Sequence, residues 1–259
     1  MLQRTLCGIS ILCAGLVSLP ALGADTHEEL AVEPQAEKIL QQMTKYLNTL
    51  EQFTFHVENT DDWLLSSGQK LQYAGAVDVS VRRPNRFRAN VQGDIDNQHL
   101  FYDGHTITLW NADLNYYGTL EAPSTIEAAL DHALEAFALR APLSDLIRQD
   151  AFAILTEHVE SGFYVGLHDV HGVACHHLAF RQEDIDVQVW IEAGDTPLLR
   201  KLIITQKYVA GAPQFTAWLS DWNPSAKLPD SLFIFMAPDK AKRVEFLPVE
   251  RQGLPPNSQ

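Results

Sequence analysis

Four of the chain's ten histidines and its third cysteine fall within HDVHGVACHHLAF, residues 168–180. Imidazole nitrogen and thiolate sulfur are zinc ligands, and a site needs three or four of them within about 2.0–2.3 Å of the ion. Alternate residues of an extended strand share a face, so Val173, Cys175, His177 and Ala179 point one way and His176, Leu178 and Phe180 the other. Cys175 and His177 thus share a side, with His168 or His171 able to reach round from the preceding turn. The spacing H-x-x-H-x-x-x-C-x-H matches no closed zinc pattern, however, and His171-Gly172 reads as a hairpin turn. Cys175 suits a small buried apolar position. The stretch is expected to be structural, without a metal.

Other candidate chemistry is sparse. There is no G-x-S-x-G elbow, no H-E-x-x-H and no glycine-rich phosphate loop, so neither a catalytic residue nor a cofactor is expected. Ser124, three residues before Glu127, reads as a capping box at a helix start rather than as a nucleophile. Asp103 and His105 with a distant serine would suit a hydrolytic triad, yet a histidine beside Asp-Gly belongs more often to a solvent-facing turn. The acidic run QEDID, 182–186, would suit calcium, yet a hairpin tip is solvated by default. Arg82, Arg83, Arg86 and Arg88 stand out in an acidic chain. They either pair with neighbouring carboxylates or, for Arg82, Arg86 and Arg88, contact a phosphate or carboxylate headgroup or a partner.

The elements that would position these residues are written in the periodicity. In PQAEKILQQMTKYLNTL, residues Ile39, Leu40, Met43, Leu47 and Leu50 recur at helical spacing. Beyond it the period drops to two. Phe53, Phe55 and Val57 alternate with polar residues, as do Val77, Val79 and Val81, and then Phe87, Ala89 and Val91. Asp103-Gly104 predicts a tight turn between strands 98–102 and 105–111, with a further strand from Leu114. Helical spacing returns at Ile126, Leu130, Leu134 and Phe137, and one or two short helices end near Leu155. Six more strand-like runs follow from His158. Some ten strands joined by short links must curl or close. The predicted fold is α+β: a curved antiparallel sheet forming an incomplete barrel, with an N-terminal helix and a central helical insertion on its concave side.

The chain's ends and charge set the compartment. Residues 1–23 place Arg4 before an apolar run and a small-residue exit, as in a cleavable signal peptide; the run is short for a membrane span. Neither Cys7 nor Cys13 has the flanking residues of a lipid-anchoring signal. The mature domain is expected over 24–247, followed by a disordered tail at 248–259. With 19 basic and 33 acidic residues the net charge is −14, and such a surface suits neither nucleic acid nor an anionic membrane. Cleavage leaves Cys175 alone, so no internal disulfide is expected.

RRPNRFR at 82–88, followed by FYDGHTITLWNADLNYY at 101–117, resembles a motif pairing of the periplasmic lipoprotein-carrier (LolA/LolB-like) superfamily. Over about residues 34–246 the chain is similar to DUF2092, a family of predicted periplasmic proteins, through RRPNRFRA, YDGHTITL, GVACHHLAFR, VQVWIE, PLLRKLIIT and LFIFMAP. The resemblance implies a periplasmic half-barrel able to take acyl chains or a hydrophobic peptide, and brings no catalytic residue. The expected function is non-catalytic binding of a lipid, a lipoprotein acyl group or another hydrophobic ligand. Alternation puts Phe55, Val57, Val77, Val79, Phe87, Leu109, Val189 and Ile191 on the hollow side. The alternative is an envelope sensor or scaffold with a filled interior that binds a partner protein; a continuous apolar pocket of at least about 300 Å³ would favour the ligand reading.

Overall fold

The computed structural model describes residues 32–95, 97–137 and 143–246. The predicted signal peptide, Pro142 and the predicted tail lie outside the described residues.

Pro34 opens helix α1 (Pro34–Thr49), whose Ala36, Ile39, Leu40, Met43 and Leu47 form the buried face. Six strands follow as a meander: β1 (Gln52–Leu64), β2 (Lys70–Arg82), β3 (Arg86–Gly93), β4 (Asn97–Tyr102), β5 (Thr106–Asn111) and β6 (Tyr116–Glu121). Helix α2 (Ile126–Phe137), a 3-10 turn at Ser144–Ile147 and helix α3 (Ala151–Thr156) interrupt them. A second meander, β7 (Ser161–Val170), β8 (Val173–Arg181), β9 (Ile185–Glu192), β10 (Leu199–Gln206) and β11 (Gln214–Asn223), precedes a short β12 (Lys242–Val244).

The twelve strands make one sheet, ordered β12-β6-β5-β4-β3-β2-β1-β11-β10-β9-β8-β7. All neighbours are antiparallel except β12 on β6. The two meanders join where β11 returns beside β1, pairing Val57 with Leu219 and Asp61 with Phe215. The sheet stays open, an α+β half-barrel with β7 and β12 as its edges.

Turn chemistry follows the residues. Asp103 accepts hydrogen bonds from the backbone nitrogens of His105 and Thr106, at 2.9 and 2.8 Å, and Gly104 takes a φ of 94°. The carboxylate that a triad would need is therefore spent on its own turn. His171 and Gly172, with φ of 51° and 85°, make the two-residue turn between β7 and β8. The predicted capping box does not form. Thr125, not Ser124, accepts from Ala128 N at 3.3 Å, and Glu127 instead accepts from Gln149 N at 2.9 Å. Two adjacent hydroxyls were available, and the helix begins one residue later than the box requires.

The core lies on the concave face. Helix α1 packs against β7 and β9, and Phe53 and Phe55 stack on Trp222, whose indole donates to the Leu199 carbonyl at 3.1 Å. Val189 and Ile191, expected on the hollow, are 7% and 0% exposed in this same core. After β11 the chain crosses the convex face, where Phe233 is fully buried and Phe235 packs on Phe101, Trp110 and Tyr117. Phe246 then rounds the edge to Phe137 of α2. A Cβ at Gly118 would sit 2.7 Å from the Phe246 ring, so only glycine lets it lie there.

Candidate functional site

Helices fill one half of the concave face and only cover the other. Over β1–β5, side chains from α2 and the 3-10 turn, Leu130, Leu143 and Ile147, bridge across the sheet without reaching its floor and leave a hollow of about 330 Å³. Its walls come from the inward phase of each strand: Phe55 and Val57 of β1, Val77 and Val79 of β2, Phe87, Ala89 and Val91 of β3, Leu100 of β4 and Leu109 of β5. The two longest strands, β1 and β2, carry the wall past the cover. There the in-phase residues become Asn59, Asp61 and Trp63 on β1 and Tyr73 and Gly75 on β2, joined by Gln98 and Phe215. Strand length thus builds an apolar hollow with a polar, aromatic mouth.

Of the eight residues expected on the hollow, Phe55, Val57, Val77, Val79, Phe87 and Leu109 line it. Val189 and Ile191 lie under α1 instead, because the helix occupies that half of the concave face. The mouth residues were not among those expected. Their signal was present as an interruption of phase: the inward positions of β1 read Phe, Phe, Val, Asn, Asp, Trp from 53 to 63.

The arginines sit on the opposite face. Arg82 donates to the Leu228 carbonyl at 2.9 Å and pairs with Asp230; Arg86 donates to the Asp103 carbonyl. Arg88 donates to Asn90 Oδ1 at 2.8 Å and lies over the Phe101 ring. The residues expected to meet a headgroup or partner are thereby engaged with the turn at Asp103, with the returning C-terminal segment and with each other's strands, since Phe87 between them points inward. Arg83, by contrast, reaches the carbonyls of Leu50 and Ile147, at 3.2 and 2.7 Å, and ties the cover to α1.

The histidine strand also shows its two faces. Leu178 and Phe180 join the concave core, while Cys175 and His177 pack outward with Trp190. His177 stacks on Trp190 with ring centroids 3.9 Å apart, and its two nitrogens meet His168 and Gln188, each at 3.1 Å. Burial, with lesser contributions from His168 and Lys201, holds its pKa below the ordinary imidazole value, against the hydrogen bond to Gln188. Burial pushes the Cys175 thiol up to about 11, the reverse of what a reactive cysteine needs. No group of three or more His, Cys, Asp or Glu converges as a metal site among the described residues; at the QEDID tip, Asp186 faces Arg181 at 3.6 Å.

A second hollow, of about 590 Å³, lies between β6, β12 and α2. Its lining mixes Glu121, His132, Arg243 and Glu245 with Phe137 and Phe246. The first hollow is the better candidate, because a continuous apolar wall with a few polar groups at one end is the pattern of ligand sites.

Residues 36–247 match the family described as "Predicted periplasmic protein (DUF2092)". Among curated proteins none matches. Among solved structures, the fold is similar to an uncharacterized conserved protein from Thermus thermophilus, at 10% identity and a TM-score of 0.49, covering 82% of this chain and 99% of that one. LprF from Mycobacterium bovis gives 14% and 0.47, covering 76% and 97%, and a LolA superfamily protein from Nitrosomonas europaea gives 11% and 0.36, covering 77% and 97%. Likeness at this level transfers neither ligand nor partner. No helix among the described residues is long and apolar enough to cross a membrane.

Proposed function

The chain belongs to the DUF2092 family of predicted periplasmic proteins, and from that premise we propose that it is a non-catalytic, signal-peptide-exported binding protein whose hollow takes one apolar chain, as of a lipid or a lipoprotein acyl group. The supporting observation is the hollow itself: about 330 Å³ walled by Val, Leu and Phe from five strands and closed over by Leu130, Leu143 and Ile147. Such a volume is at the small end of the roughly 300–1,000 Å³ usual for small-molecule sites, which suits a single chain rather than several. Each methylene moved from water into such a wall contributes about 0.8 kcal/mol, so a chain of ordinary length suffices for binding after association costs.

The scaffold alternative expects a filled interior, which the hollow disfavours. Nor is the β7 edge fully available to a partner strand: Glu33 N donates to the Gly162 carbonyl at 2.8 Å, and its carboxylate accepts from Tyr164 N at 3.0 Å.

Titration of the purified protein with the neutral apolar fluorophore N-phenyl-1-naphthylamine tests the reading. One saturable site is expected, with at least about a tenfold loss of affinity in Val77→Trp or Val79→Trp, whose indole occupies the hollow. Unchanged binding in both folded variants would place the probe elsewhere and refute the assignment.

A further inference from the structure

Register surrounds one carboxylate with aromatic rings. Asp61 lies directly opposite Tyr73 on β2 and Phe215 on β11. Two residues on along the same face is Trp63, whose indole nitrogen donates to Asp61 Oδ2 at 2.8 Å; two residues back is Asn59. The Trp63 and Tyr73 rings meet edge to face with centroids 5.2 Å apart. All five residues line the hollow at its open end. A carboxylate with three aromatic rings for neighbours, one of them held to it through its indole N–H, is a setting that favours an ammonium group, because the formal charge and nearby ring quadrupoles attract the same cation.

Among the described residues no cation of the chain is paired with Asp61. Lys70 is bound to Asp62 on the other face at 3.0 Å, and Lys207 donates to the Gln182 carbonyl. The turns at this end of the sheet carry Asp94, Asp113, Glu183 and Asp184, so the surrounding field adds to the preference for positive charge.

Resting on the binding role assigned to the hollow, we propose that its ligand is an amphiphile with a cationic head: the chain lies among Val57, Val77 and Leu100, and an ammonium group sits at Asp61 between Trp63, Tyr73 and Phe215. This is the opposite head-group sign to that expected from the arginine cluster, and it agrees with the net charge of −14.

Displacement of bound N-phenyl-1-naphthylamine by three amphiphiles of one chain length, dodecyltrimethylammonium, dodecyl maltoside and dodecyl sulfate, each below its micellar concentration, tests this. The cation should bind about tenfold tighter than the neutral maltoside, and the sulfate weaker than both. In Asp61→Asn, which keeps an acceptor for the Trp63 indole, the cation should lose its advantage and bind no tighter than the maltoside measured in the same variant. Equal affinities in the wild type, or a cation preference that survives Asp61→Asn, would overturn the head-group assignment alone. Failure of all three to displace the probe would remove the hollow as a binding site and this inference with it.

Discussion

At the scale of single residues, His177 shows how a chemistry-bearing side chain becomes a structural one. Its ring is 8% exposed, stacked on Trp190 and hydrogen-bonded at both nitrogens. The polar groups that face it are the ring of His168 from β7, Gln188 from β9 and the ammonium of Lys201 from β10, which also lies over the Trp190 ring. His99 is held below its ordinary value too, by burial and then by Arg88. Both imidazoles titrate near 6.5 when unfolded and lower when folded, so above that pH neither state is charged and they contribute no pH dependence. As pH falls below 6.5 the unfolded chain takes up protons first, and stability declines until the folded-state values are reached. The unfolding temperature should therefore fall as the pH drops below about 6.5, and His177→Gln should make that decline shallower. An unchanged slope would show that His177 is not protected from protonation.

The same scale shows what alternation can and cannot say. Six of the eight hollow-side residues line the hollow because period-two phase survives along β1, β2, β3 and β5. The arginines alternate with Val81 and Phe87 and so stand on the other face, away from the headgroup contact expected of them; their partners Leu228, Asp230 and Leu232 lie some 145 residues along the chain, beyond local pattern. Asp61 was legible as an acid at an inward position of β1. Its meaning depends on Phe215 being opposite, which only the β1–β11 pairing supplies.

At the scale of elements, Arg148 pins the cover to α2 and to the start of α3, beside the tie that Arg83 makes to α1. Arg148 follows the 3-10 turn, its side chain is 7% exposed, and it bonds Asp131 of α2 at 2.7 Å and Asp150, which precedes α3, at 2.8 Å. Asp150 above all, and then Asp131, raise its pKa, with burial opposing them. Arg148→Ala should cost about 2 kcal/mol in urea denaturation, less than a fully buried pair would, because both carboxylates are half-exposed and rehydrate. Probe release from the hollow should quicken, since Leu143 and Ile147 lose their anchor. Wild-type stability and release in this variant would show that the cover is held by apolar packing alone. Helices α1 and α2 and the hairpins were readable from periodicity and turn residues. The placement of α1 over β7 and β9 was not, because an amphipathic face states that it will be buried and not against what; hence Val189 and Ile191 are core rather than lining.

At the scale of the molecule, one open twelve-stranded sheet has too much concave surface for three helices to fill. Helix α1 packs on β7 and β9 and seals the half built from the second meander, and the shorter cover over the first leaves the hollow between itself and the strands. A binding role for the hollow requires that something other than the protein occupy it. Native mass spectrometry of the protein isolated from the cells that make it measures this most directly. A stoichiometric added mass of one amphiphile is expected, lost in Val77→Trp. A wild-type spectrum showing only the bare polypeptide, or an adduct that persists in the filled variant, would contradict it.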